Sequence, residues 1–180
     1  MKRTRGTSTK AELSDAALCE LAQSKSGVLD AKVVAPAEVQ TAAWVRLKCQ
    51  YGCGGYGQCL TCPPYTPTPN EMRKVLDCYR RAILIHLAPD AELKAIVVEL
   101  EREIFLRGAW KAFGLGAGPC EKCKSCVLEV GKCRHPHEAR PAMEACGIDV
   151  YSTARRAGFE IEVVRTTEQC PNYFGLVLVD

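Results

Sequence analysis

Twelve of the 180 residues of this chain are cysteine, and eight of those fall into two quartets. The first is Cys49-x3-Cys53-x5-Cys59-x2-Cys62, followed by Pro63-Pro64; the second is Cys120-x2-Cys123-x2-Cys126-x6-Cys133. Both sit in stretches rich in Gly, Pro or irregular sequence. A helix or strand aims neighbouring side chains apart, whereas a loop can fold four thiolates around one centre. Glycines also bring backbone amides close enough to hydrogen-bond to sulfur. The second quartet is the stronger signal, because C-x2-C-x2-C supplies three corners of a [4Fe–4S] cluster in bacterial ferredoxins. Zinc sites more often present two C-x2-C pairs with a longer spacer. Cys133 is near enough to be the fourth ligand, and Cys170-Pro171 has the form of a remote one. The first quartet matches neither pattern. A second [4Fe–4S] cluster, a zinc ion, or a cluster with three protein ligands and an open iron all fit it.

Two plainer readings compete. Free cysteine is a common small core residue, but eight thiols in two Gly and Pro loops are poor core material. Disulfides belong to oxidising compartments, and the basic N-terminus MKRTRGTSTK is not followed by the apolar stretch of a signal peptide. The expected location is cytoplasmic. Cys19 and Cys78 read as incidental. Cys146 reads as filler or as a spare thiol near a cluster.

Arg134, His135, His137 and Arg140 crowd the end of the second loop. A thiolate-held cluster is anionic, so these cations are expected to compensate its charge from just outside the ligand set. A patch for an anionic substrate or for proton transfer is the other reading, and His135 is a candidate non-cysteine ligand. Gly114-x-Gly116-x-Gly118 lacks the spacing of a dinucleotide loop and reads as a tight turn into the second Cys loop. His86, inside an apolar run, reads as a core histidine. Tyr51, Tyr56 and Tyr65 flank the first quartet as shields or as loop packing. No Ser-His-Asp triad, paired-carboxylate or phosphate-loop signature is present.

The rest of the chain must position these loops. Composition is ordinary for a globular domain, 47% apolar and 25% charged, with net charge +3. That charge asks for no nucleic acid, and the apolar runs 82–88 and 173–179 are too short to span a bilayer. Residues 1–8 read as a basic tail, and Thr9–Glu12 as a capping box opening a helix that ends before Gly27. Val33-Val34 reads as a short strand, and 39–48 as either helix or strand. Residues 49–67 read as a loop. A capping box at Thr68–Glu71 predicts a helix over 69–80. Ala82–Leu87 is expected to be a buried central strand. A helix starting at Pro89-Asp90, with Leu93, Ile96, Val97, Leu100 and Ile104 on one face, stops at Gly108. A strand over 110–115 completes a βαβ unit with a right-handed crossover. Helices are expected over 141–146 and 150–157, stopped by Gly147 and Gly158. The alternation over 159–163 predicts a half-exposed strand forming a hairpin with a buried strand at 174–179. The expected fold is α+β: a mixed sheet of about four strands with one βαβ unit, helices and two Cys-rich metal-binding loops. The expected division is a tail and N-terminal helix over 1–27 and a single metal-binding domain over 28–180.

The segments CGGYGQCLTCPPYTPTPNEM, GAGPCEKCKSC and CRHPHEARPAMEACGIDVYSTARRAG resemble the prokaryotic "predicted metal-binding protein" family, a domain of unknown function. The resemblance runs from about residue 30 to the C-terminus. It implies a cysteine-ligated metal, iron–sulfur in character, mostly in anaerobes, and no settled reaction. The family's cysteine pattern matches at Cys53, Cys62, Cys120, Cys123, Cys126 and Cys133. Cys59 and Cys146 stand where family members often carry another residue. The leading functional reading is an iron–sulfur protein, with one or two [4Fe–4S] clusters, that passes electrons to a redox partner protein. One alternative is an enzyme whose open iron binds a substrate or sulfide. Another is a zinc-stabilised structural or interaction module. No nucleic-acid or membrane partner is expected.

Overall fold

The structure is a computed structural model, and it describes residues 13–166, 168–169 and 172–180. The capping box at Thr9–Glu12, the basic tail and Cys170-Pro171 lie outside the described residues. The first helix, α1, spans Asp15–Gln23, and Ser14 caps it by accepting a hydrogen bond from the Ala17 amide at 3.2 Å. Its start is therefore at Ser14 rather than at Thr9. It is followed by β1 (Val28–Val34), a 3-10 turn (Pro36–Glu38), α2 (Trp44–Gly52), α3 (Pro69–Leu76), β2 (Ala82–Leu87), α4 (Leu93–Leu106) and β3 (Phe113–Leu115). A second 3-10 turn (Glu144–Cys146), α5 (Val150–Arg156) and β4 (Tyr173–Leu178) complete the order.

The fold is α+β, with one four-stranded sheet in the order β1-β2-β4-β3. Every adjacent pair of these strands is antiparallel. β2 and β3 run parallel to each other, with β4 between them. The strand–helix–strand unit over 82–115 is thus a split one, opened to admit the last strand. β2 is buried along almost its whole length because the sheet is covered on both faces. Ile83, Ile85 and Leu87 pack with Val177, Val179, α1 and α4 on one face. Leu84, Phe174, Leu176 and Leu178 pack with α3, α5 and the Met143–Ile148 segment on the other. This two-sided burial explains the unbroken apolar run AILIHL. Leu84→Ala, at a fully buried position, is expected to cost about 2–5 kcal/mol.

The α4 face expected from periodicity is the buried face, and the capping box at Thr68 and Glu71 forms in full. α4 itself begins at Leu93, after the Pro89-Asp90 turn. β3 is shorter than the expected 110–115, and Trp110 is 76% exposed. Two of the three glycines after α4 have a packing role. A side chain at Gly114 would collide with Val97, and one at Gly116 would press on Leu93 at 3.1 Å, so both let α4 lie close on the strand. Gly118, at φ +69°, takes the turn into the second Cys loop.

One expectation is corrected. Residues 159–165 form no strand, and no hairpin joins them to β4. The alternation was real as burial: Phe159 and Ile161 are buried between exposed Glu160 and Glu162. β2 takes one edge of β4 along its length and β3 takes Leu176–Leu178 on the other, and 159–165 adds no ladder to either. Arg155 instead donates to the Ile161 carbonyl at 3.2 Å. The expected helix over 141–146 is only the 3-10 turn, ended by Gly147 at φ +78°. His86 stacks on Phe174, with ring centroids 4.8 Å apart, and its Nε2 lies 2.8 Å from Asn172 Oδ1. Among the described residues, no helix is long and apolar enough to cross a membrane.

Candidate metal centre

The first Cys segment begins on a helix. Cys49 lies in the last turn of α2, and Cys53 follows the helix as its C-terminal cap. α2 buries only Val45, so polar contacts must hold this end in place. Arg46 donates to the Thr66 carbonyl at 3.0 Å and to the Pro67 carbonyl. The Thr66 hydroxyl donates to the Ala145 carbonyl. The Ala42 amide donates to Gly147 O at 2.9 Å, and Cys49 Sγ donates to Glu144 O at 3.7 Å. The first Cys segment is thus fastened at several points to the 144–147 turn.

Burial governs the thiols there. It pushes Cys62 up to about 11, with Cys59, Cys53 and Cys49 adding to the rise, and pushes Cys146 up to about 12. Cys49 is raised by burial first and by Cys53 second. The Glu144 carboxyl is likewise pushed up by burial. Two buried polar atoms at this place, Arg46 Nε and Glu144 Oε2, have no partner within the protein. Reading the sequence missed Arg46, Thr66 and Glu144. The only signals were Arg46 standing one helical turn before Cys49 and Glu144 standing two residues before Cys146.

The second Cys segment, by contrast, is an excursion from the sheet. Its base is closed by the Gly116 amide on Pro141 O and the Met143 amide on Gly116 O, both 2.8 Å. Arg140 clamps the same base through a two-pronged ion pair with Glu101, at 2.5 and 2.6 Å, and Glu101 also accepts from the Gly114 amide at 2.7 Å. The pair is well shielded, with side chains 11% and 15% exposed. Between 117 and 140 there is no helix or strand. Cys133 Sγ accepts from the His135 amide at 3.3 Å, and Lys122 pairs with Glu138 on the surface at 2.7 Å.

The two segments meet. Cys59 Sγ donates to the Cys120 carbonyl at 3.5 Å, and the Leu60 amide donates to Cys126 Sγ at 3.4 Å. One recess is lined by Cys59, Cys120, Cys123, Cys126 and Cys133, with Arg134 and His135 at its wall. Cys59 is raised by burial, then by Cys120 and Cys126. His137 and Arg140 do not line this recess, and Arg140 is engaged by Glu101. Cys49, Cys53 and Cys62 lie on the α2 side. Tyr51 and Tyr65 are exposed rather than laid over the thiols. All eleven described cysteines are free thiols.

Among the described residues, no three His, Cys, Asp or Glu side chains converge closely enough to hold a metal ion. The donor chemistry nevertheless fits a soft metal. The recess is lined by thiols, and backbone amides at Gly55, Leu60 and His135 are aimed at cysteine sulfur. Burial raises Cys59 first and the neighbouring Cys120 and Cys126 add to the rise; a cation between the thiolates would reverse the sign of that second contribution. Comparison with curated proteins and with solved structures gives no match. Comparison with family models matches residues 32–179 to the family described as "Predicted metal-binding protein (DUF2284)". With that match spanning both Cys segments and all of the sheet but the start of β1, the chain belongs to the DUF2284 family of predicted metal-binding proteins.

Proposed function

We propose that the protein is an iron–sulfur protein whose eight loop thiolates, Cys49, Cys53, Cys59, Cys62, Cys120, Cys123, Cys126 and Cys133, hold one or two [4Fe–4S] clusters, and that it passes electrons to a partner protein. The observation that carries this reading is the meeting of two remote Cys segments through sulfur: Cys59 Sγ on Cys120 O, and the Leu60 amide on Cys126 Sγ. An amide donated to sulfur stabilises a thiolate ligand and raises the potential of whatever it binds. A [4Fe–4S] cluster, when bound, supplies one-electron transfer. The protein's own contribution is to bring the thiolates of two remote segments together and to set cations beside them. Arg134 and His135, at the wall of the recess, are placed to offset the negative charge of the thiolates.

The test is the iron, zinc and acid-labile sulfide content of protein purified without oxygen. About four or about eight iron with equal sulfide per chain is expected. Zinc near two per chain without sulfide overturns the redox reading and leaves a structural module. Cys123→Ser is expected to lower the iron content and to destabilise the fold, since metal binding energy is partly folding energy. Unchanged iron in that variant removes Cys123 from the ligand set.

A further inference from the structure

We infer that Cys59 shares its metal centre with the thiolates of the 120–133 loop, and not with Cys49 and Cys53, which precede it in the first quartet. This rests on the reading that the loop thiolates hold metal. Spacing alone pairs Cys59 with Cys62 as a C-x2-C unit. Cys59 and Cys62 remain neighbours, and they differ in what else they face. Cys62 is buried, 6% exposed, on the α2 side. Cys59 opens into the recess formed by the second loop, with its Sγ on the Cys120 carbonyl. The next residue, Leu60, sends its amide to Cys126 Sγ, so the backbone around Cys59 is tied to the second loop twice. A C-x2-C-x2-C run provides three corners and commonly takes its fourth ligand from elsewhere in the chain. Among the described residues, Cys59 is the thiol from outside the loop that lines this recess.

The turn from Cys59 to Cys62 is tight, with the Cys62 amide on the Cys59 carbonyl at 2.9 Å.

Double substitutions separate the two partitions, read as iron and sulfide per chain in the full-length protein purified without oxygen. Cys59→Ser is expected to lower metal content. Combined with Cys123→Ser it is expected to lower it no further than Cys123→Ser alone. Combined with Cys49→Ser it is expected to add to whatever loss Cys49→Ser causes. Unchanged metal in Cys59→Ser overturns the inference, as does a loss that adds to that of Cys123→Ser. Because a variant can fail to fold, the unsubstituted protein supplies a second reading. Under stepwise chelation with trapping by iodoacetamide, Cys59 is expected to become alkylated together with Cys120 and Cys126. Release together with Cys49 and Cys53, ahead of or behind Cys120, overturns the inference while leaving the iron–sulfur reading intact. Unsubstituted protein that holds no metal defeats that reading and this inference together.

Discussion

The two Cys segments solve the same problem with opposite means. The 49–66 segment is fastened along its length: a helix carries its first thiol, Arg46 grips its far end, and Thr66 ties it to the 144–147 turn. The 120–133 segment has no regular structure and is fastened chiefly at its base, by Gly116, Pro141, Met143 and the Arg140–Glu101 pair, with two further ties to the first segment at Cys120 and Cys126. Burial follows this division only in part, since Cys53 is exposed and Cys49 and Cys59 are half-buried. Cys62 and Cys146, on the fastened side, are buried, whereas all four cysteines of the excursion are partly exposed. The fastened side resembles a preformed wall, and the excursion is the part that metal binding would order. Folding energy and binding energy are therefore expected to be spread unequally over the two.

The sharpest way to break this contrast is at the base of the excursion. Glu101→Ala strands the shielded Arg140 guanidinium and takes the acceptor from the Gly114 amide. It is expected to cost about 3 kcal/mol. Amide exchange should accelerate over 117–140 while 49–66 stays protected; equal acceleration in both segments would remove the distinction. A second effect concerns the thiols of the metal-stripped chain. Cys62, moved from 9.0 to about 11, should carry roughly 100-fold less thiolate at pH 8 than an ordinary cysteine. Its alkylation should lag that of exposed Cys53 accordingly. The sign for stability follows. Between about pH 9 and 11 the folded chain keeps the Cys62 proton that the unfolded chain has lost, so stability falls as pH rises through that window. Urea midpoints at pH 8 and pH 10.5 check this.

Thr66→Val acts on the fastened side. It leaves the Ala145 carbonyl without its donor and is expected to cost about 1–2 kcal/mol, with faster alkylation of Cys49 and Cys62 and no change at Cys123. The smallest effect is expected at the Lys122–Glu138 pair, which lies on the surface of the excursion. Glu138→Gln should leave the urea midpoint and the metal content where they were, since exposed pairs contribute little.

The elements that the chain announces locally are the ones that formed. The Thr68–Glu71 capping box, the apolar stripe of α4 and the β2 run are decided by neighbours within a few residues. So is the meaning of Gly147 and Gly158, both of which take positive φ after a helical turn. What was illegible depended on who stands beside whom. The alternation reports burial at Phe159 and Ile161 but fails at exposed Val163, and it cannot report that β2 and β3 are the strands that flank β4. The glycines at 114 and 116 look like a turn until Val97 and Leu93 are laid against them. The site divides in the same way. Eight candidate thiols were legible from type and spacing, yet the facing of Cys59 toward Cys120 spans the whole of β2, α4 and β3. Arg140 was grouped with the cations of the second loop because it is near them in sequence, and Glu101, which engages it, lies on α4.

The closure at Gly116 and Pro141 makes residues 117–140 separable in the sense that a cassette is. The two ends of the excursion already stand within hydrogen-bonding distance of each other. A short Gly-containing linker joining Gly116 to Pro141 would span the same gap, and loop length itself costs little in closure entropy. Neither apolar layer draws a contact from 120–133, and Ala117 is the one residue of 117–140 packed against them. The scaffold is therefore expected to fold as an empty frame, on which the same two anchor points can carry a different metal-binding segment.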